Sequence, residues 1–392
     1  MKPTIPRSVW MLGFVSMFMD ISSELIHSLL PVFMVSSLGA SALAVGMVEG
    51  VAEATSLIAK VFSGTLSDYF GRRKGLAVFG YGLGAISKPL FALAGTVNAV
   101  LAARFLDRIG KGMRGAPRDA LVADLTPESI RGAAYGLRQS LDTVGAFIGP
   151  LLAMMLMLVW SGNFRKVFWF AVIPGVFAIL VLEFGVREPK ASMMRGQARA
   201  PIQWRILKEL STAYWWVVMV GATFTLARFS EAFLILRARQ TGLSDALTPA
   251  VLVLMNIVYA LTAYPAGHMA DRMDRRSLLA GGLVVLIASD LAFAHAGGLV
   301  LSALGIALWG LHMGLTQGLF ATMVVAAAPV SLRGTAFGFF NLASGVAMLV
   351  ASGLAGVLWD KIGASMTFYA GVIFSAAALA LLLMSPKVEN SY

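Results

Sequence analysis

Asp20, Glu24 and His27 fall within DISSELIH, residues 20–27, inside an apolar run long enough to cross a bilayer. Each residue of an α-helix advances by about 100°, so these three side chains lie within roughly 60° of one another on a single face. Two chemistries suit that set. Carboxylates beside an imidazole can relay protons, and oxygen with imidazole ligands can hold a divalent cation, which would make Asp20, Glu24 and His27 a metal site. A buried carboxylate binds its proton more tightly when desolvated and less tightly beside a cation. A carboxylate between water and Arg104 could therefore change protonation as its access to water alternates. The spacing alone does not choose between the two.

Other ionisable residues sit in comparable apolar runs. Glu49 and Glu53 are one turn apart in the second run, Arg138 and Asp142 share that spacing in the fifth, and Arg104, Asp107, Arg108 and Lys111 form a stripe in the fourth. Within the membrane part of the first half, Asp20, Glu24, Glu49, Glu53, Asp107 and Asp142 are matched in number by Lys60, Lys88, Arg104, Arg108, Lys111 and Arg138. Charges at such depth cost several kcal/mol each unless paired or hydrated, so they are expected to face inward. They read either as a proton-coupling cavity or as a neutralised network tying helices 1, 2, 4 and 5 together. Lys60, Lys111 and Glu183, near helix ends, fit snorkelling or gate ion pairs.

The second half is poorer in charge. Helix 7 has Arg228 and Glu231, helix 9 has Asp290, and helix 10 has His312 near Gln317. Ser230-Glu231 echoes Ser23-Glu24. With Asn256 and Tyr259, the residues Arg228, Glu231, His312 and Gln317 are candidate linings of a substrate cavity, although ordinary helix packing accounts for each equally well.

The elements that must position these groups follow from composition. The chain has 392 residues, 58% hydrophobic and 13% charged, with a mean hydropathy of +0.79. A helical span needs about 20 apolar residues, and the runs are long and continuous, unlike the alternating strands of a barrel. The expected fold is an all-α membrane protein with twelve transmembrane helices. The first run is too long, and too polar in its middle, for a cleaved signal peptide, so the N-terminus is expected to be kept. Absence of cysteine excludes disulfides and thiolate metal sites.

The net charge of +11 suggests nucleic acid until it is placed along the chain. With the N-terminus in the cytoplasm, only Arg165, Lys166, Arg237, Arg239 and Lys361 of the basic residues outside the membrane fall on the far side. That asymmetry follows the positive-inside rule and predicts a multi-pass protein of the bacterial inner membrane with both termini cytoplasmic. No nucleic-acid partner is implied.

Residues 188–210 form the one extended polar stretch and read as a cytoplasmic linker between six-helix bundles at 1–187 and 211–392. The halves resemble each other: SIRGAAYG at 129–136 matches SLRGTAFG at 331–338, and SGTLSDYFGRR at 63–73 matches AGHMADRMDRR at 266–276. The offsets, 202 and 203, nearly agree. Two motifs at nearly one offset indicate a duplication and hence two pseudo-symmetric bundles.

At these residues the chain resembles the major facilitator superfamily over essentially its whole length. Gly64, Leu66, Ser67, Asp68, Gly71, Arg72 and Arg73 meet the family's Gly-x-Leu-(Ala/Ser)-Asp-x-x-Gly-Arg-(Arg/Lys) loop, which implies a gate. Its echo has Gly267, Asp271, Arg275 and Arg276, with Asp274 where the family has glycine. Gly136, Gly145, Gly149 and Pro150 resemble the family's helix 5 antiporter motif, although Ala153 and Met154 stand where two more glycines belong. DISSE together with DRIGKGMRGAPRDAL is similar to a bacterial branch of the family with links to drug, metal or siderophore efflux.

The resemblance implies a secondary transporter working by alternating access, with proton-coupled efflux of a small molecule as the leading expectation. The lipid bilayer, protons and a small-molecule or metal-chelate substrate are the expected partners of a monomer. Transport of a metal ion or metal chelate in either direction is the alternative, and a non-transporting membrane sensor a distant one. There is no nucleotide-binding loop and no nucleophile with an identifiable base, so neither an enzyme nor a cofactor is expected.

Overall fold

A computed structural model describes residues 4–70, 73–187, 206–270, 273–329 and 332–385; most of the polar stretch at 188–210 lies outside them. The described chain is helical: α1 (Arg7–His27), α2 (Leu30–Leu38), α3 (Ala42–Phe70), α4 (Arg73–Leu93), α5 (Val97–Leu125), α6 (Arg131–Val159), α7 (Phe164–Phe170), α8 (Val172–Gly185), α9 (Thr212–Ala227), α10 (Ala232–Gln240), α11 (Ala250–Ala270), α12 (Arg275–Ala294), α13 (Leu299–Thr316), α14 (Leu319–Ala327), α15 (Arg333–Lys361) and α16 (Ala364–Met384). Among the described residues, 11 single or paired helices are long and apolar enough to span a membrane. Helix α5 has the length, 29 residues, and lacks the apolarity because Arg104, Asp107, Arg108, Lys111, Arg114, Arg118, Asp119 and Asp124 all lie on it. With α5 the passes number twelve.

The chain divides into two compact units. Unit 1 holds residues 1–38, 55–200 and 245–250, and unit 2 holds 39–54, 201–244 and 251–392. In unit 1, α1 lies along α6 and α8, and α4 along α5 and α8, around a core that includes Val9, Leu12, Val15, Met19, Tyr81, Leu121 and Leu182. In unit 2, α12 lies along α13 and α16, and α9 along α15 and α16. The N-terminal segment of α3 belongs to unit 2. There Asp360 of α15 accepts from the backbone N–H groups of Ala42, at 3.0 Å, and Leu43, at 2.8 Å. Helix N-termini leave such donors unmet, and a carboxylate suits them.

Two arginines treat helix C-termini in the converse way. Arg165 on α7 donates to the carbonyls of Ala92 and Ala94 at 2.8 and 2.9 Å. Arg237 on α10 donates to those of Phe293 and Ala296 at 3.0 and 3.1 Å.

Several passes are broken. Helix α1 gives way to α2 at Ser28-Leu29, α9 to α10 over residues 228–231, and α13 to α14 at Gln317-Gly318. Broken helices in transporters free backbone groups for use inside the membrane. Gly318 has φ of 76°, in the left-handed region that glycine enters without penalty. A Cβ there would meet nothing within 4 Å. Gly318→Ala should therefore lose only backbone energy, about 1–2 kcal/mol, read as a lowered thermal unfolding midpoint in detergent. An unchanged midpoint would show that the break does not require glycine.

Candidate functional site

Unit 1 gathers its charges on α1, α4, α5 and α6. Lys88 Nζ donates to Asp107 Oδ1 at 2.6 Å and to Ser23 Oγ at 3.0 Å. Asp107 also has Ser87 Oγ at 3.3 Å and an Arg104 guanidinium nitrogen at 4.0 Å. Lys88, Arg104, Asp107 and Arg108 are all buried.

One layer along the helices, an Arg114 nitrogen stands 3.9 Å from Asp20 Oδ1, and the guanidinium lies 4.7 Å over the Tyr81 ring. Tyr81 and Arg118 each hydrogen-bond Ser16 Oγ, at 3.2 and 3.1 Å. Arg118 continues to Asp119 at 3.1 Å, and Arg138 donates to Asp142 at 2.6 Å. Arg118 and Asp142 are 3.9 Å apart, which closes the chain of ion pairs.

Asp20, Glu24 and His27 share one face of α1, and all three are partly exposed. His27 Nδ1 lies 3.2 Å from Glu24 Oε2. Asp20 has Arg114 beside it, where the sequence offered Arg104, which stands near Asp107. The positive-inside reading counts Arg114 and Arg118 among the basic residues of cytoplasmic segments, yet α5 continues through them to Leu125 and Arg114 is buried. The signal lay in the stripe itself, since Arg104, Arg108, Lys111, Arg114 and Arg118 repeat every three or four residues.

Two glycines let α6 approach this face. A Cβ at Gly145 would lie 2.7 Å from the Met17 carbonyl oxygen and 3.0 Å from Asp20 Cβ, and one at Gly149 would lie 2.7 Å from Glu24 Cβ. Gly136 is exposed and has nothing near it. Pro150, next to Gly149, lies inside α6 without ending it.

Glu49 and Glu53 stand on the part of α3 that groups with unit 2, and Glu49 is buried. Of the gate loop, Gly71, Arg72 and Asp271 lie outside the described residues, as does the side chain of Asp68. Arg73 pairs with Asp124 at the end of α5 and donates to the Ala120 carbonyl at 3.2 Å. A Cβ at Gly64 would lie 3.8 Å from Ala116, an ordinary contact. Arg275 is exposed in the first turn of α12.

In unit 2, Arg228 ends α9 with its guanidinium 5.8 Å from the Phe224 ring, and Glu231 stands at the start of α10. His312 is fully buried, with Nδ1 2.9 Å from the Gly282 carbonyl oxygen. Only a protonated Nδ1 can donate to that oxygen. Gln317 is exposed at the α13 break, and Asn256 and Tyr259 are half-buried on α11. Among the described residues, no group of three or more His, Cys, Asp or Glu could hold a metal ion.

The family model described as Major Facilitator Superfamily matches residues 12–348 and again 226–391. The chain belongs to that superfamily. Among superfamily relatives, it is 32% identical to an uncharacterized MFS-type transporter of Methanocaldococcus jannaschii, over 97% of this chain and 95% of that protein. It is 22% identical to the quinolone resistance protein NorA of Staphylococcus aureus, over 51% of this chain and 52% of that one. A crystal structure of a POT family transporter in complex with 5-aminolevulinic acid superposes with a TM-score of 0.82 at 14% identity, over 98% of this chain and 97% of that chain. As a superfamily member the protein is a multi-pass membrane transporter, and neither its family nor its structural neighbours are enzymes.

Proposed function

We propose that the protein is a proton-coupled secondary transporter that exports a small molecule by alternating access between six-helix halves, 1–187 and 211–392, joined by the 188–210 linker. The observation that carries this reading is the pair Asp20 and Glu24. Both are partly exposed on one face of α1, Asp20 has Arg114 at 3.9 Å, and Glu24 has His27 at 3.2 Å. A carboxylate that is neither sealed in apolar packing nor free in water, with a cation beside it, can trade its ion pair for a proton when its surroundings change. In this reading His27 passes the proton towards the outside, and the Arg118, Asp142 and Arg138 chain holds the alternative partners.

Export is supported by the Gly145, Gly149 and Pro150 pattern at that face and by the half-length likeness to a quinolone resistance protein. Residues near the breaks, Arg228, Glu231, His312 and Gln317, together with Asn256 and Tyr259, supply the substrate side. The protein is proposed to act as a monomer in the bacterial inner membrane with both termini cytoplasmic.

The test uses proteoliposomes with a pH-sensitive dye trapped inside and a panel of quinolones, amphiphilic cations and metal chelates as probes. Wild type should show probe-dependent proton flux. Asp20→Asn and Glu24→Gln, which keep shape and cannot ionise, should abolish that flux while folded yield stays near wild type. Folded variants with wild-type proton flux would overturn the proposal.

A further inference from the structure

Unit 2 contains one carboxylate treated unlike those of unit 1. Asp290, one turn from the C-terminal end of α12, is fully buried, and neither of its oxygens has a hydrogen-bond or ion-pair partner. It is pressed against Gly371 of α16: a Cβ there would collide with Asp290 Oδ2, lie 2.9 Å from its Cγ and stand 3.1 Å from the Phe229 ring. Phe229 sits in the break between α9 and α10 and packs against Trp309, Phe233 and Phe368, with ring centroids 5.5–5.8 Å away. The carboxylate therefore faces an aromatic wall built on a helix break.

The ionisable groups on the surrounding elements are otherwise engaged. Helix α13 offers only His312, held by the Gly282 carbonyl. Helix α16 offers only Tyr369, whose hydroxyl lies 3.1 Å from His295. Arg237 of α10 is spent on backbone carbonyls, α14 carries no ionisable side chain, and neither Arg228 nor Glu231 at the break bonds Asp290. Two further polar groups, on α13 and α16, are buried without hydrogen-bond partners: Trp309 Nε1, and Ser375 Oγ one turn beyond Gly371.

An ionised carboxylate in apolar surroundings without a cation is so unfavourable that the group takes up a proton instead. Lys88 of α4 lies at the position corresponding to Asp290 by the 202-residue offset, and it is paired with Asp107. The two halves thus solve the same depth differently, one by an ion pair and one by a lone acid.

We propose that Asp290 is a proton-binding site of unit 2, separate from the Asp20 and Glu24 face. It holds its proton in the conformation described and gives it to water, as carboxylic acid to carboxylate plus hydronium, when movement at the α9–α10 break admits water past Phe229. The proposal adds a second proton site to the coupling reading, and protonation of Asp290 can be read without transport.

The experiment is infrared spectroscopy of the purified full chain in lipid films, following the carbonyl stretch of protonated carboxylic acids. Wild type at neutral pH should show a high-frequency band, as expected for an acid without hydrogen bonds, that Asp290→Asn loses entirely. The band should fade reversibly as pH is raised, and it should persist in the Asp20→Asn/Glu24→Gln double variant, which separates this site from the other. If Asp290→Asn fails to fold, Asp290→Glu should move the band to the frequency of a glutamic acid. Two results overturn the proposal: bands that are the same in wild type and variant, which would mean an ionised Asp290, and a band that never fades while the protein stays folded, which would mean a packing group.

Discussion

Lys88→Ala is expected to lose most folded protein, at about 3–5 kcal/mol, because it leaves Asp107 buried without the cation at 2.6 Å. Both side chains are almost wholly enclosed between α4 and α5, so water cannot take the place of the missing ammonium. Asp107→Ala should be similarly severe, since Lys88 would keep only the Ser23 hydroxyl at 3.0 Å. The double variant Lys88→Met/Asp107→Leu tests whether the pair is structural. Replacing a buried ion pair with apolar groups of similar volume is often neutral or stabilising, so folded yield and thermal midpoint should return towards wild type. If the double variant is no better than either single one, Asp107 is supported mainly by Arg104 and Ser87, and the account of the pair fails.

Gly149→Val should separate α6 from α1 and disable transport. Even the first carbon of a side chain at Gly149 would sit 2.7 Å from Glu24 Cβ and 3.1 Å from the Ile21 carbonyl oxygen, so backbone must move and not merely a side-chain tip. Overpacking of this kind costs about 1–3 kcal/mol for an added methyl and more for a branched chain. The displacement falls on the helix face that presents Asp20 and Glu24, so proton-coupled flux should fall further than folded yield. Gly136→Ala is the internal control. It lies in the same glycine pattern with nothing within 4 Å, and removal of a glycine from a helix should stabilise by about 0.5–1 kcal/mol. Equal damage at Gly136 and Gly149 would refute a packing role specific to the α1 face.

The helical passes were legible because hydrophobic length is a local property, and a run such as 212–227 needs no partner to be read. The breaks were legible only in part. Pro31, the second residue of α2, has no N–H for the His27 carbonyl, and Gly318 takes a left-handed φ, so those two breaks have local causes. Residues 228–231 contain no proline or glycine, and there Ser230 N–H finds Ser352 Oγ at 3.3 Å. Arg114 and Arg118 were hidden by their own charge, since charges flanking an apolar run ordinarily mark its end. Pro117 lies inside α5 without ending it. Asp290 was visible as a residue and invisible as an isolated acid, because isolation is set by what α13, α16 and Phe229 fail to offer.

The guanidinium groups of Arg165 and Arg237 bear on how the two halves diverged. Ala92 and Ala94, whose carbonyls Arg165 covers, correspond at an offset of 202 to Ala294 and Ala296, which lie within reach of Arg237. The arginines themselves do not correspond: Thr367 stands 202 residues beyond Arg165, and Val35 stands 202 before Arg237. What passed to both copies was the geometry of a helix ending with bare carbonyls, and each copy met that need from a different neighbouring helix. Ancestry in this chain is therefore written in unmet backbone groups as much as in side chains. Two of the basic residues that the sequence reading expects on the far side of the membrane are thus each tied into a helix end, which leaves them little free charge.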